Sequence, residues 1–84
     1  MVRKLDRRFG NLLIDLRRQA NLTQSKLAKK AKLSVTCVAM LERGERQPSL
    51  IAACKLALAL SVSINLMVPY EWMDKYDIRY QGSQ

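Results

Sequence analysis

The sequence predicts an all-α fold, a compact domain of four to five short helices, and three patterns carry that expectation. Apolar residues recur at helical spacing between Asp6 and Ala20, residues 22–44 spell two short helices joined by a tight corner, and a nearly all-apolar helical stretch follows Pro48. Residues 1–5 form a basic arm ahead of these. Asp6 is suited to cap a first helix running to about Ala20, in which Phe9, Leu12, Leu13 and Leu16 form one apolar stripe and Arg8, Asp15 and Arg18 lie away from it. Asn21 tolerates the left-handed conformation that ends a helix.

The second helix opens at Thr23, whose hydroxyl can accept a backbone N–H of the first turn, and it turns Leu27, Ala28 and Ala31 to one side. Lys32-Leu33 is long enough only for a corner. Ser34 caps the third helix, Val38 and Leu41 face inward, and Gly44 stops the helix because it adopts a left-handed backbone at little steric cost. Pro48 disfavours helical geometry at the residue before it, so a fourth helix opens at Ser49. Ile51, Cys54 and Leu58, with Ala52, Ala53, Ala57 and Ala59, make that helix apolar around most of its circumference, which predicts a place in the centre of the core, with Cys54 as a small core residue.

The last element is ambiguous. Residues 62–68 alternate apolar and less apolar side chains, are rich in β-branched residues and stop at Pro69, a pattern that favours a short strand. A lone strand leaves its backbone groups unpaired, so a strand here implies pairing with a second copy. With either conformation Ile64, Leu66 and Val68 are candidate dimer contacts. The division expected is a domain over 1–68 and a C-terminal extension over 69–84, where Trp72, Tyr76 and Tyr80 are spaced by four; they either pack on the domain or anchor a protein partner.

Composition narrows the functional classes. Of the 84 residues 15 are Lys or Arg and 7 are Asp or Glu, a net charge of +8. Residues 1–32 hold ten of the basic residues against Asp6 and Asp15, so the positive field belongs to the arm and the first two helices. A polyanion is the natural partner. The chain contains no histidine, no clustered carboxylates and no glycine-rich phosphate loop, so no constellation suits acid–base, nucleophilic or metal chemistry; no enzyme activity, catalytic residue, metal or cofactor is expected. Cys37 and Cys54 are expected as free thiols. The longest apolar run is far short of the ~20 residues that span a bilayer, and the N-terminal stretch lacks an apolar signal segment, so a cytoplasmic location without membrane association is the expectation.

Two helices at a tight corner in a basic chain can place one helix in the major groove of DNA. The motif elements Leu16-Arg17, Leu22-Thr23-Gln24, Leu27-Ala28, Ser34, Leu41-Glu42-Arg43-Gly44 and Pro48-Ser49-Leu50 resemble those of the Cro/phage-repressor helix-turn-helix family over roughly residues 9–67. The resemblance implies double-stranded DNA as partner, a phosphate contact by Gln24, backbone contacts by Arg43, Arg46 and Gln47, and a structural ion pair between Arg17 and Glu42. It also implies a fifth helix, where the residue pattern favours a strand.

Base reading falls by spacing to the outward face of the third helix, Val35, Thr36, Ala39 and Met40, with Ser34 and Cys37 at its edges. Many relatives carry Gln, Arg, Lys or Asn there, whereas this face offers only short polar and apolar groups. Readout is therefore expected to weigh thymine methyls and DNA shape. The expected function is a sequence-specific transcriptional regulator, a repressor acting as a homodimer on a palindromic operator. The alternative is an antitoxin: the segment from Leu60 through Val68 resembles that of HipB-type antitoxins, which implies a toxin bound through the C-terminal segment and repression of the protein's own operon.

Overall fold

The computed structural model describes residues 5–67, which fold as four α-helices and one 3-10 turn: α1 Arg8–Gln19, α2 Gln24–Ala31, α3 Val35–Arg43, α4 Leu50–Leu60 and the turn Ile64–Met67. Three of the four helix starts use the expected hydroxyl caps. Thr23 Oγ1 accepts from the Lys26 amide at 3.1 Å, Ser34 Oγ from Cys37 at 3.0 Å and Ser49 Oγ from Ala52 at 3.1 Å, each satisfying one amide that the helix cannot. At α1 the cap position is Arg7, and Asp6 instead accepts from the Arg8 amide at 3.1 Å and from its guanidinium at 2.7 Å. The Arg8 side chain and amide hold the Asp6 carboxyl down at about 2, below the usual 3.8. The helix ends turn left-handed at Asn21, Lys32, Gly44 and Ser61, which lets the following amides close on the last carbonyls.

α3 packs on α1 and α2, and α4 packs on α2 and on the 3-10 turn. The core between them holds Phe9, Leu13, Leu27, Val38, Leu41, Leu56 and Met67, all but sealed from solvent. Leu12 and Leu16 complete the α1 stripe at half-burial.

Two expectations are corrected. Residues 64–67 are not a strand, and no strand occurs among the described residues. In a single chain a strand there would have no partner edge, whereas a 3-10 turn satisfies the Leu66 amide with the Ser63 carbonyl at 3.0 Å, lets Ser63 Oγ accept from Asn65 at 3.2 Å and drives Met67 into the core. Ile64 and Leu66 are left 38% and 48% exposed, while Val68 and the aromatic segment beyond it lie outside the described residues.

The second correction concerns α4. Ile51, Cys54 and Leu58 are exposed, Ile51 at 68% and Leu58 at 81%, while Ala52, Ala53, Leu56, Ala57, Ala59 and Leu60 are buried. The helix turns its small side chains inward because its partner α2 presents Ala28 and Ala31, and two alanine-rich faces allow close approach of the helix axes.

One helical contact is tighter still. A Cβ on Gly10 would stand 2.5 Å from the Glu42 carbonyl oxygen and 2.7 Å from that of Leu41, so α1 crosses the backbone of α3 at a distance only glycine permits. Beside this crossing Glu42, 5% exposed, receives Arg17 Nε at 2.6 Å and Arg17 Nη2 at 3.2 Å, while Arg17 Nη1 donates to the Leu22 carbonyl at 2.9 Å. The expected ion pair is thus formed, bidentate and largely buried, with side-chain exposures of 14% and 4%.

Two stability predictions follow from this crossing. Gly10→Ala forces α1 off α3 and should lower the unfolding free energy by about 1–3 kcal/mol, the ordinary cost of overpacking, measured as a shift of the urea midpoint. Arg17→Met strands a buried carboxylate and should cost about 3–5 kcal/mol, enough to populate unfolded chain in a domain of this size without denaturant.

Candidate nucleic-acid interface

The element best placed to meet a ligand is α3. Its inward face is committed: Val38 and Leu41 to the core, Glu42 to Arg17. Its outward face begins at the exposed cap Ser34, continues through Val35 and Thr36, also exposed, and passes over half-buried Ala39 and Met40 to exposed Arg43. Cys37 is half-buried and packs against the core at the edge of this face, so its thiol is less available than the neighbouring hydroxyls. The structure therefore brings the expected residues Ser34, Val35, Thr36, Ala39, Met40 and Arg43 together on one surface of one helix.

The residues expected to flank that surface divide into two groups. Arg43 and Arg46 are exposed. Arg43 is paired through Nε and Nη2 with Glu45, which raises the guanidinium and lowers the carboxyl from their ordinary values; Arg7 contributes a smaller lowering of Glu45. Both groups face water, so the pair is easily exchanged for another anion.

Gln24 and Gln47 are instead engaged within the fold. Gln47 Nε2 donates to the Asp6 carbonyl at 3.1 Å, tying the α3–α4 loop to the entry of α1. A Cβ on Gly44, φ +77°, would lie 2.9 Å from the same Asp6 oxygen, so this loop and that entry meet closely at two points. Gln24 Nε2 donates to Glu42 Oε1 at 2.8 Å. Of the four residues expected against a nucleic-acid backbone, two have side chains whose donors serve the protein first.

One cation was not singled out by the sequence. Lys55 rises from α4 between α2 and the α3–α4 loop and its Nζ lies 3.5 Å from the carbonyl of left-handed Lys32. With Arg46 and Ser49 it lines an open cleft of about 550 Å³ between α3 and the start of α4. The signal available beforehand was that Lys55 is the only charged residue in an otherwise apolar helix. Lys26, Lys29 and Lys30 of α2 and Lys32 at the corner are all exposed, so the helix that precedes α3 carries a basic surface.

Among the described residues no group of His, Cys, Asp or Glu side chains could hold a metal ion, and no helix is long and apolar enough to cross a membrane.

Comparisons with known proteins agree on what this arrangement is. A helix-turn-helix family model, HTH_3, matches residues 13–67. The chain is 38% identical over 61 residues to an uncharacterized HTH-type transcriptional regulator of Sinorhizobium fredii, y4dJ, spanning 71% of this chain and 79% of that protein. It superposes on the restriction-modification controller protein C.AhdI from Aeromonas hydrophila with a TM-score of 0.68 at 37% identity, over 71% of this chain and 91% of the other. The biofilm master regulator SinR, solved in complex with DNA, superposes with a TM-score of 0.67 at 26% identity, over 71% and 98% of the two chains. The corner of α2 and α3 with its two hydroxyl caps, and the match across more than half the chain, make this protein a member of the Cro/C1-type helix-turn-helix family of DNA-binding transcriptional regulators.

Proposed function

We propose that the protein is a sequence-specific repressor that binds a palindromic operator as a homodimer, with α3 of each copy in the major groove and the two grooves about 34–36 Å apart along the duplex. The observation that carries this reading is the division of α3 itself, one face fully committed to the fold and the other exposing Val35, Thr36 and Arg43, with the exposed lysines of α2 on the helix before it. Thr36 offers a hydroxyl to a base edge. Val35, Ala39 and Met40 offer apolar contact to thymine methyls. Arg43 and Arg46 approach phosphates and supply salt-dependent affinity without reading sequence. With no bidentate side chain at Val35, Thr36, Ala39 or Met40, discrimination draws more on DNA shape than in relatives that carry Gln, Arg, Lys or Asn there.

The dimer is supported by an apolar surface that is exposed among the described residues. Ile51, Cys54 and Leu58 of α4 continue into Ile64 and Leu66, and a groove of about 290 Å³ lined by Cys54, Ala57, Leu58, Val62 and Ile64 runs through it. Exposed apolar groups so grouped mark an interface. In this reading the dimer contact uses Ile64 and Leu66 together with the exposed apolar residues of α4, and Val68, the third expected contact, lies outside the described residues. The alternative is an antitoxin, suggested by the likeness of Leu60 through Val68 to HipB-type antitoxins; residues 64–67 are a helical turn instead of the strand expected there, and Val68 and the aromatic segment that would hold a toxin lie outside the described residues.

Titration against DNA from upstream of the protein's own gene, with an unrelated duplex of equal length as competitor, tests the reading. A preference for the upstream duplex that persists as salt is raised is expected; its loss at every salt concentration would contradict sequence-specific binding. Thr36→Ala with Met40→Ala should reduce the preference and leave the salt dependence unchanged, whereas Arg43→Ala should weaken both duplexes alike and reduce the slope of log affinity against log salt by about 1. Leu58→Asp should convert a dimer to a monomer in sedimentation equilibrium without unfolding it, because Leu58 is exposed in the single chain.

A further inference from the structure

We propose that Glu45 is an attenuating residue, a carboxylate fixed at the end of α3 that lowers the protein's affinity for every duplex, whatever its sequence. The inference rests on the reading above in which Arg43 approaches a phosphate. The backbone holds Glu45 in place. Gly44 turns left-handed with its amide on the Leu41 carbonyl at 3.2 Å, and the Glu45 amide closes on the Met40 carbonyl at 3.0 Å. The loop is then fastened to the entry of α1 on both sides of Glu45, by the close approach of Gly44 to the Asp6 carbonyl and by the Gln47 bond to the same oxygen. The carboxylate therefore stays between Arg43 and Arg46 in the chain, next to the cations that would meet DNA.

Among the described residues the other carboxylates are spoken for or stand elsewhere. Glu42 is buried against Arg17 and Gln24, Asp6 accepts from Arg8 at the entry of α1, and Asp15 is exposed within α1. Glu45 has no comparable work in the fold. The C-terminal end of a helix carries partial negative charge, so an acid just past it is disfavoured where a cation is favoured. Its side chain gains only a solvated pair with Arg43, worth little to stability. The bond from Arg43, and after it the charge of Arg7, hold the carboxyl below its ordinary value, so it is ionised at neutral pH. The pair uses Arg43 Nε and Nη2, which leaves Nη1 for a phosphate. That phosphate, however, meets a neutralised pair in place of a cation, and the carboxylate repels any phosphate within a screening length. Phosphates are alike in every sequence, so the penalty is paid on all duplexes. In a chain of net charge +8 it limits binding to arbitrary DNA.

Glu45→Gln removes the charge while keeping side-chain length and the amide on Met40, and Asp15→Asn makes the same change of net charge on α1. Titrated at about 0.1 M salt, Glu45→Gln should bind both the upstream and the unrelated duplex about three- to fivefold more tightly. The gain should shrink as salt is raised, so that log affinity falls more steeply with log salt. Asp15→Asn should change either affinity by less than about twofold. The urea midpoint of Glu45→Gln should equal or exceed that of the wild type, which shows that the gain does not come from a larger folded fraction. No gain in Glu45→Gln would make the carboxylate inert, an equal gain in Asp15→Asn would make the effect one of net charge, and a gain confined to the upstream duplex would place Glu45 at a base edge. Each of these outcomes overturns the proposal. Arg43→Ala leaving both affinities unchanged would instead refute the phosphate contact, and the Glu45→Gln titration would still decide whether the carboxylate attenuates binding.

Discussion

Glu42 sits where three helices meet, and most of what the fold does for its exposed surface depends on keeping that carboxylate satisfied. It is nearly sealed from water, so every hydrogen bond it needs must come from protein. Arg17 brings α1 and, through the Leu22 carbonyl, the loop into α2; Gln24 brings the first turn of α2. A fully satisfied buried network of this sort has one good geometry, and small departures from it are costly. An apolar contact at the same place would tolerate sliding. The consequence is that a nine-residue helix, too short to be stable alone, is held at a defined angle.

Close approach does the rest. Glycine at position 10 lets α1 cross the carbonyls of Leu41 and Glu42, and α2 and α4, which pack on one another, both bury alanines. Among the described residues the large side chains fully buried are few, and close approach of the helices adds dispersion contacts to those they make. The cost appears on the surface, where Leu50, Ile51 and Leu58 of α4 remain exposed while Leu56 and Leu60 are buried. Their exposure is the complement of the small residues' burial, and it leaves the domain with a face that a second copy can cover.

The electrostatics of the outward surface follow a different logic. Among the described residues buried charge is confined to the Arg17 and Glu42 cluster, while the lysines of α2 and Arg43 and Arg46 at and beyond the end of α3 remain in water, where they attract a polyanion at little cost to folding. Arg43 is held by Glu45 in the free protein, and because the pair is fully solvated a phosphate can replace the carboxylate at small cost. In the proposed function the exposed surface cations supply affinity, and the buried network supports the helix that meets the bases.

The helices and their boundaries were legible in the sequence because caps and stops are local. Thr23, Ser34 and Ser49 each bond an amide three residues on, and Gly44 and Asn21 turn left-handed as single residues, so no distant contact is needed to place them. The outward face of α3 was legible for the same reason, since Val38 and Leu41 define its opposite. The face of α4 was not. A helix apolar on nearly all sides carries no periodic signal, and only the shape of α2 decided that alanines go in while Ile51, Cys54 and Leu58 stay out. The segment after α4 alternates like a strand, yet the pull of Met67 into the core and the lack of a partner edge made it a turn. Sequence alone likewise could not assign the Gln24 amide, which had both a phosphate and a carboxylate 18 residues away as acceptors. Local chemistry set where each helix begins and ends; the choice of buried face and of hydrogen-bond partner was made between elements, where only tertiary geometry brings the competing groups within reach.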